Sequence, residues 1–262
     1  MKTYIVKMNL LLNKIIEQQL NSLPPSTKVG SLVSAGIDSS TIATLLSNKI
    51  KDLTLITFGT PESKDFSFVD ILYNFLKKDL LKITIEEKDL ADNLYQVKNV
   101  LQKNNIEVNL MQMSLGIGYL IAFAKAKEKG ITHIFTGQGP DVILGGYHKY
   151  KNLPEAQINQ EITKDIMALE IDKKRDQAMA DCFGIKLFNP YLEKEFVDFC
   201  QEIPASLKIW RNSEKIIEKY ILRRYAETLK IPDTIINRPK MAFQYSTRIQ
   251  KALIRLFPHL HQ

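Results

Sequence analysis

Along the first half of the chain the apolar positions alternate between two periods. Residues 8–20 set Leu10, Leu11, Ile15, Ile16 and Leu20 on one face, the spacing of a helix, and Asn21 to Ser26, with Pro24 and Pro25, stops it. Val29 to Val33 is a short apolar run that reads as a buried parallel strand. Ser39 to Asn48 predicts a helix, Leu53 to Phe58 a strand, Phe66 to Leu76 a helix and Leu81 to Ile85 a third strand. Residues 89–103 and 112–129 predict two helices, and Ile131 to Thr136 a fourth strand. This alternation from residue 8 to residue 136 predicts an α/β fold, with helices on both faces of a parallel sheet. After residue 150 strand signals fade, and residues 161–180, 192–202, 212–230 and 246–256 read as helices. There is no internal repeat and no low-complexity linker. The expectation is one domain over residues 1–262, with an α/β core at 8–150 and a helical part at 151–262.

Composition narrows this only a little. The 262 residues are 45% hydrophobic and 25% charged, ordinary for a globular chain. No stretch approaches the roughly 20 apolar residues of a membrane helix, and the N-terminus lacks the apolar run of a signal peptide. A cytoplasmic location with no membrane partner is therefore expected. Cys182 and Cys200 form no CxxC pair, so they read as reduced, partly buried thiols. His133, His148, His259 and His261 are scattered and do not suggest a metal site. The net charge of +7 suits a nucleotide substrate, but lysines mostly occupy solvated faces, so nucleic acid is not the expected partner.

Two turns carry the chemistry. Ser31 to Ser40 (SLVSAGIDSS) joins the first strand to a helix, where an open α/β sheet binds ligands. The small residues Ser34, Ala35 and Gly36 let backbone N–H groups approach an anion at the positive end of the next helix. The hydroxyls of Ser34, Ser39 and Ser40 add donors. Asp38 has the sign of a Mg²⁺ ligand that would bridge to phosphate oxygens. The turn is neither a Walker A loop nor a dinucleotide fingerprint, and by itself it also reads as an ordinary N-cap. The second turn, Thr136 to Tyr147 (TGQGPDVILGGY), holds four glycines around Asp141. Such a loop is built for close backbone approach. If both turns share one sheet edge, Asp38 and Asp141 converge as a two-carboxylate magnesium clamp.

These segments resemble the synthetase domain of asparagine synthetases and of the related β-lactam and carbapenam synthetases. Ser34 to Ser39 is similar to that family's SGGxDS pyrophosphate loop. Gly137 to Asp141 with Gly145-Gly146-Tyr147 is similar to its GEGxDE…GGY segment. Asp172 to Asp176, Gly184 to Leu192, Glu218 to Arg223 (EKYILR) and Arg238-Pro239-Lys240 resemble its later D…RD, PFLD, EKxxLR and RxK stretches. The resemblance covers about residues 8–245. It implies an adenine nucleotide α-hydrolase-like fold and an ATP-dependent, AMP-forming carbon–nitrogen ligase. A carboxylate, with aspartate as the family's own, is activated as an acyl-adenylate and attacked by ammonia or another amine. It implies ATP with its pyrophosphate at 34–40, contacts from Gly137 and Gly139, and Mg²⁺ on Asp38 and Asp141. It further implies Lys240 as the group that neutralises phosphate charge, and Leu32, Thr57, Phe58 and Gly59 framing the adenosine. Family members pair as homodimers or recruit a glutaminase.

The departures shape what is expected. The chain opens at the synthetase helix with no cysteine before Cys182, so ammonia must come from solution, from a separate glutaminase subunit or from another amine donor. Gln138 stands where the family has Glu; it can orient a nucleophile but cannot take its proton. Val142 replaces a second acid, Phe188 replaces an arginine, and Ala35 replaces a glycine, which requires a negative φ there. Gln138 and Val142 keep open a non-catalytic nucleotide-binding module. A related pyrophosphatase-loop enzyme acting on RNA is the other alternative.

Overall fold

The computed structural model describes residues 1–258; His259 and His261 lie outside the described residues. Helix α1 (Lys2–Asn21) leads into β1 (Val29–Leu32), α2 (Ile37–Ser47), β2 (Leu53–Gly59), α3 (Phe66–Leu76), β3 (Asp79–Thr84), α4 (Glu87–Lys103), α5 (Leu110–Glu128) and β4 (His133–Phe135). There follow α6 (Pro140–Ile143), α7 (Glu155–Ile166), α8 (Leu169–Asp181), β5 (Lys186–Phe188), α9 (Lys194–Glu202) and α10 (Ala205–Lys208). The hairpin β6 (Ile209–Arg211) and β7 (Ile216–Glu218) precedes α11 (Tyr220–Thr228), α12 (Asp233–Ile236), α13 (Phe243–Ser246) and α14 (Ile249–Leu256).

The main sheet has five parallel strands in the order β3-β2-β1-β4-β5. β1 is central and buried at every position, which is why its sequence is apolar without alternation. Two apolar cores lie on opposite faces. One joins α1, α2, α3, α9 and α11 through residues such as Leu12, Leu45, Leu72, Phe196 and Tyr225. The other joins α4, α5, α8 and α14 through Leu101, Ile117, Met179 and Leu253. Helix α4 starts with a reciprocal capping box between Glu86 and Asp89, and the Asn109 side chain caps α5 by accepting from the Gln112 N–H at 2.9 Å. Chain order reverses between β1 and β4, so a crevice opens at their carboxyl ends.

Several expectations are corrected. The second half is not wholly helical: β5 completes the main sheet and β6–β7 form a hairpin. Strands of three residues are too short to show a period. The helix expected over 212–230 is the end of that hairpin followed by α11, and the helix expected over 161–180 is two helices, with the break at Met167 and Ala168. Phe188 is a core residue of β5, stacked on Phe135 with centroids 4.9 Å apart. Val142 is likewise buried, so an acid at that place would be desolvated. Of the cysteines, Cys200 is buried and Cys182 is exposed rather than partly buried. Among the described residues no helix is long and apolar enough to cross a membrane.

Candidate active site

The β1–α2 turn and the β4–α6 turn meet in the crevice. Gly137 lies directly on the first turn: a Cβ built on it would sit 2.5 Å from the Ser39 amide nitrogen and 2.6 Å from the Ser39 Cα. Only a residue without a side chain permits that approach. Within the first turn, Ser39 Oγ accepts from the Ser34 N–H at 3.2 Å and Ser34 Oγ accepts from the Gly36 N–H at 3.3 Å. These bonds shape the loop from inside. Tyr191 donates its hydroxyl to the Asp38 carbonyl at 3.2 Å.

Asp38 stands in the first turn of α2 and Asp141 in the first turn of α6, and they share one buried cation. Lys219 Nζ donates to Asp38 Oδ2 and lies 2.6 Å from Asp141 Oδ1. Lys240 Nζ lies 3.2 Å from Asp141 Oδ2 and 4.8 Å from the Tyr147 ring centroid. Lys219 has a left-handed backbone, φ 51°, and its stem runs over Gly146, where a Cβ would meet Lys219 Cε at 2.2 Å. Burial lifts the Asp38 carboxyl above its ordinary value; Lys219 opposes this and Asp141 adds to it. Burial acts the same way on Asp141, but Lys219 and Lys240 outweigh it and hold that carboxyl below the usual range. Burial would lower Lys219, yet its two carboxylates push it up to about 12.

A cavity of about 440 Å³ extends from these groups. The first turn lines it with Ser34, Gly36, Asp38 and Ser39, the second with Gly137, Gln138, Gly139 and Asp141. Lys240 lines it from the late segment, and Leu32 and Phe58 from the strand ends. The other expected contacts lie deeper. Ala35, Ser40, Thr57 and Gly59 are buried and form no part of this lining. Ala35 has φ 52°, not the negative value expected. The family's glycine explains the turn's shape, and the alanine adopts it under strain of about 1–2 kcal/mol.

Several site residues escaped the sequence reading. Lys219 and Arg238 lay inside quoted motifs without an assigned role. Arg238 donates to the Ser34 carbonyl and to Asp65 Oδ1, both at 2.5 Å, and so ties the first turn to the end of the chain. Asp65 is almost fully buried and also accepts from Ser246 Oγ at 2.7 Å. Asp172 and Arg175 line the far side, with Arg175 Nη1 2.7 Å from Asp172 Oδ1. No local period marks such residues, because their partners lie far away in the chain.

The residues fit a hard divalent cation. Among the described residues no group of three or more His, Cys, Asp or Glu forms a metal site. Asp38 and Asp141 alone face each other, a cation already sits between them, and the buried Asp38 Oδ1 has no hydrogen-bond partner. Two carboxylates suit Mg²⁺, which keeps much of its shell for water and phosphate oxygens.

Fold and crevice together define a parallel α/β protein with two acidic turns and a cluster of cations at its sheet edge. The chain belongs to the asparagine synthase family, whose profile matches residues 8–163 and 160–261. A putative asparagine synthetase (glutamine-hydrolyzing) 1 of Methanocaldococcus jannaschii is 29% identical, over 87% of this chain and 47% of that protein. The asparagine synthetase (glutamine-hydrolyzing) of Rattus norvegicus is 24% identical, over 91% of this chain and 43% of that protein. The chain thus spans about half the length of the curated relatives it matches. The NH3-dependent NAD synthetase of Campylobacter jejuni, a solved structure, is 18% identical over 70% of this chain and 92% of its own, with a TM-score of 0.40.

Proposed function

We propose that the protein is an ATP-dependent, AMP-forming carbon–nitrogen ligase. The observation that carries this reading is the meeting of Asp38 and Asp141 at Lys219, with Lys240 beside them. A site with two carboxylates and several cations suits a polyphosphate and its counter-ions. ATP would lie with its phosphates over the first turn, and Asp38 and Asp141 would hold Mg²⁺, which would supply charge neutralisation for the departing pyrophosphate. Lys219 and Lys240 add fixed positive charge where negative charge develops. The carboxylate substrate attacks the α-phosphorus, giving an acyl-adenylate and pyrophosphate. An amine then attacks the acyl carbon and AMP leaves.

Gln138 lines the cavity, and its buried Oε1 has no partner. It is placed to accept a hydrogen bond from an incoming amine, though not its proton. Ammonia from a separate glutaminase, or another amine arriving unprotonated, suits that group.

The test is pyrophosphate release from ATP and Mg²⁺ with a broad panel of carboxylates and ammonium. Release with any carboxylate supports the ligase. Asp38→Asn should abolish it with the fold retained. Silence across the panel with ATP still bound would leave a nucleotide-binding module, which Gln138 favours.

A further inference from the structure

Lys219 occupies the place that suits a divalent cation. Its Nζ donates to Asp38 Oδ2 and forms an ion pair with Asp141 Oδ1 at 2.6 Å, so a single ammonium joins the two carboxylates. The atoms Asp38 Oδ1 and Asp141 Oδ1 are buried and accept no hydrogen bond, so each acid keeps an unsatisfied oxygen. Lys240 Nζ holds Asp141 Oδ2 at 3.2 Å. The backbone delivers the Lys219 ammonium. The residue caps α11 in the left-handed region, with φ 51° and ψ 37°, and its side chain is 3% exposed. Gly146 leaves room for the stem: a Cβ there would meet Lys219 Cε at 2.2 Å. A competitor tethered in this way acts at a high effective concentration.

Charge works in the same direction. Lys219 and Lys240 balance Asp38 and Asp141. Arg175, Arg223 and Arg238 also line the cavity, against Asp65 and Asp172, so the lining carries one formal positive charge in excess. A bare divalent cation entering the free protein would meet that excess and would have to displace a tethered ammonium. It would also have to shed water, which Mg²⁺ gives up reluctantly. The oxygens of a triphosphate reverse these effects: they offer the two lysines other partners and bring negative charge into the cavity.

We propose that Lys219 is an internal competitor for the metal. It closes the Asp38–Asp141 site to a divalent cation in the free protein and yields it when the phosphates of a nucleotide take the ammonium. The proposal rests on the ligase reading and adds how that site is regulated: metal and nucleotide bind as a coupled pair, each raising the affinity of the other. Mn²⁺ titration of the nucleotide-free protein tests it, followed by loss of the free ion's electron paramagnetic resonance signal. The wild type should take up little Mn²⁺ below millimolar concentration. Lys219→Met should bind it about 10–100-fold more tightly, the usual size of a coupling between two ligands, and adding Asp38→Asn should abolish the gain. Lys219→Gln should show the same gain and serves where the methionine variant folds poorly. Lys240→Met leaves the bridge in place and should gain less. Submillimolar uptake by the wild type, no gain in either Lys219 variant, an equal gain in Lys240→Met, or a gain that survives Asp38→Asn would overturn the proposal. The α,β-methylene analogue of ATP should bind the wild type about tenfold more tightly with Mn²⁺ than with EDTA, and equal affinity in the two would also overturn it. Absence of nucleotide binding in both would overturn the ligase reading, whereas the Mn²⁺ comparison needs no nucleotide and judges the competitor apart from it.

Discussion

Gly137 presses against the backbone of Ser39, so that the second acidic turn is seated on the first with no side chain between them. The spacing of Asp38 and Asp141 is therefore set by backbone contact. Gly137→Ala would place a methyl carbon 2.5 Å from the Ser39 nitrogen, so the turns must separate. A displacement approaching 1 Å costs about 10²-fold in a positioned reaction. Pyrophosphate formation should fall by roughly that factor, and a steady-state assay checks it.

Lys219 is the buried counter-ion of two partly buried carboxylates. Lys219→Met leaves Asp38 without its counter-ion and Asp141 with Lys240 alone, a change that costs up to about 3–5 kcal/mol when one partner of a buried pair is removed and less where, as at Asp141, water still reaches the carboxylate. Urea denaturation should show that loss in buffer with EDTA. Millimolar Mg²⁺ should recover part of it, because a divalent cation takes the place of the ammonium.

Lys240 touches only Asp141 among the two carboxylates, from the more exposed side of the site. Lys240→Ala should therefore lower kcat for pyrophosphate formation by two to three orders of magnitude and shift the melting temperature little. A large fall in stability with normal turnover would remove it from the reaction.

Lys208 is fully buried, and its ammonium donates to Asn159 Oδ1 at 2.8 Å. Burial lowers it from 10.5 to about 8. Above pH 8 the folded protein has released this proton and the unfolded chain has not, so the unfolded state binds more protons and stability rises with pH until about 10.5. The rise amounts to at most about 3 kcal/mol. Urea midpoints between pH 7.5 and 10 should climb in the wild type and flatten in Lys208→Met.

Ala35 holds a left-handed backbone at full burial. Ala35→Val should destabilise by about 2–4 kcal/mol, since a β-branched residue at positive φ adds strain in a site with no room. Ala35→Gly should change stability by less than about 1 kcal/mol, because relief of strain offsets the lost methyl and the freer unfolded chain. Thermal melts distinguish the two.

The chain's own pattern determined the central strands β1 and β2, the amphipathic helices and both acidic turns, because period, turn chemistry and helix-start signals are local and act over a few residues. Phe66 to Leu76 was legible to the residue for that reason. The three-residue strands β5, β6 and β7 were not, since so short a segment is made a strand by its neighbours. What tertiary structure decided was which groups meet. Lys219, 181 residues from Asp38, and Arg238, 204 residues from Ser34, reach the first turn only through folding. Partnership across such separations leaves no trace in spacing, because the pairing is set by where the helices pack on the sheet.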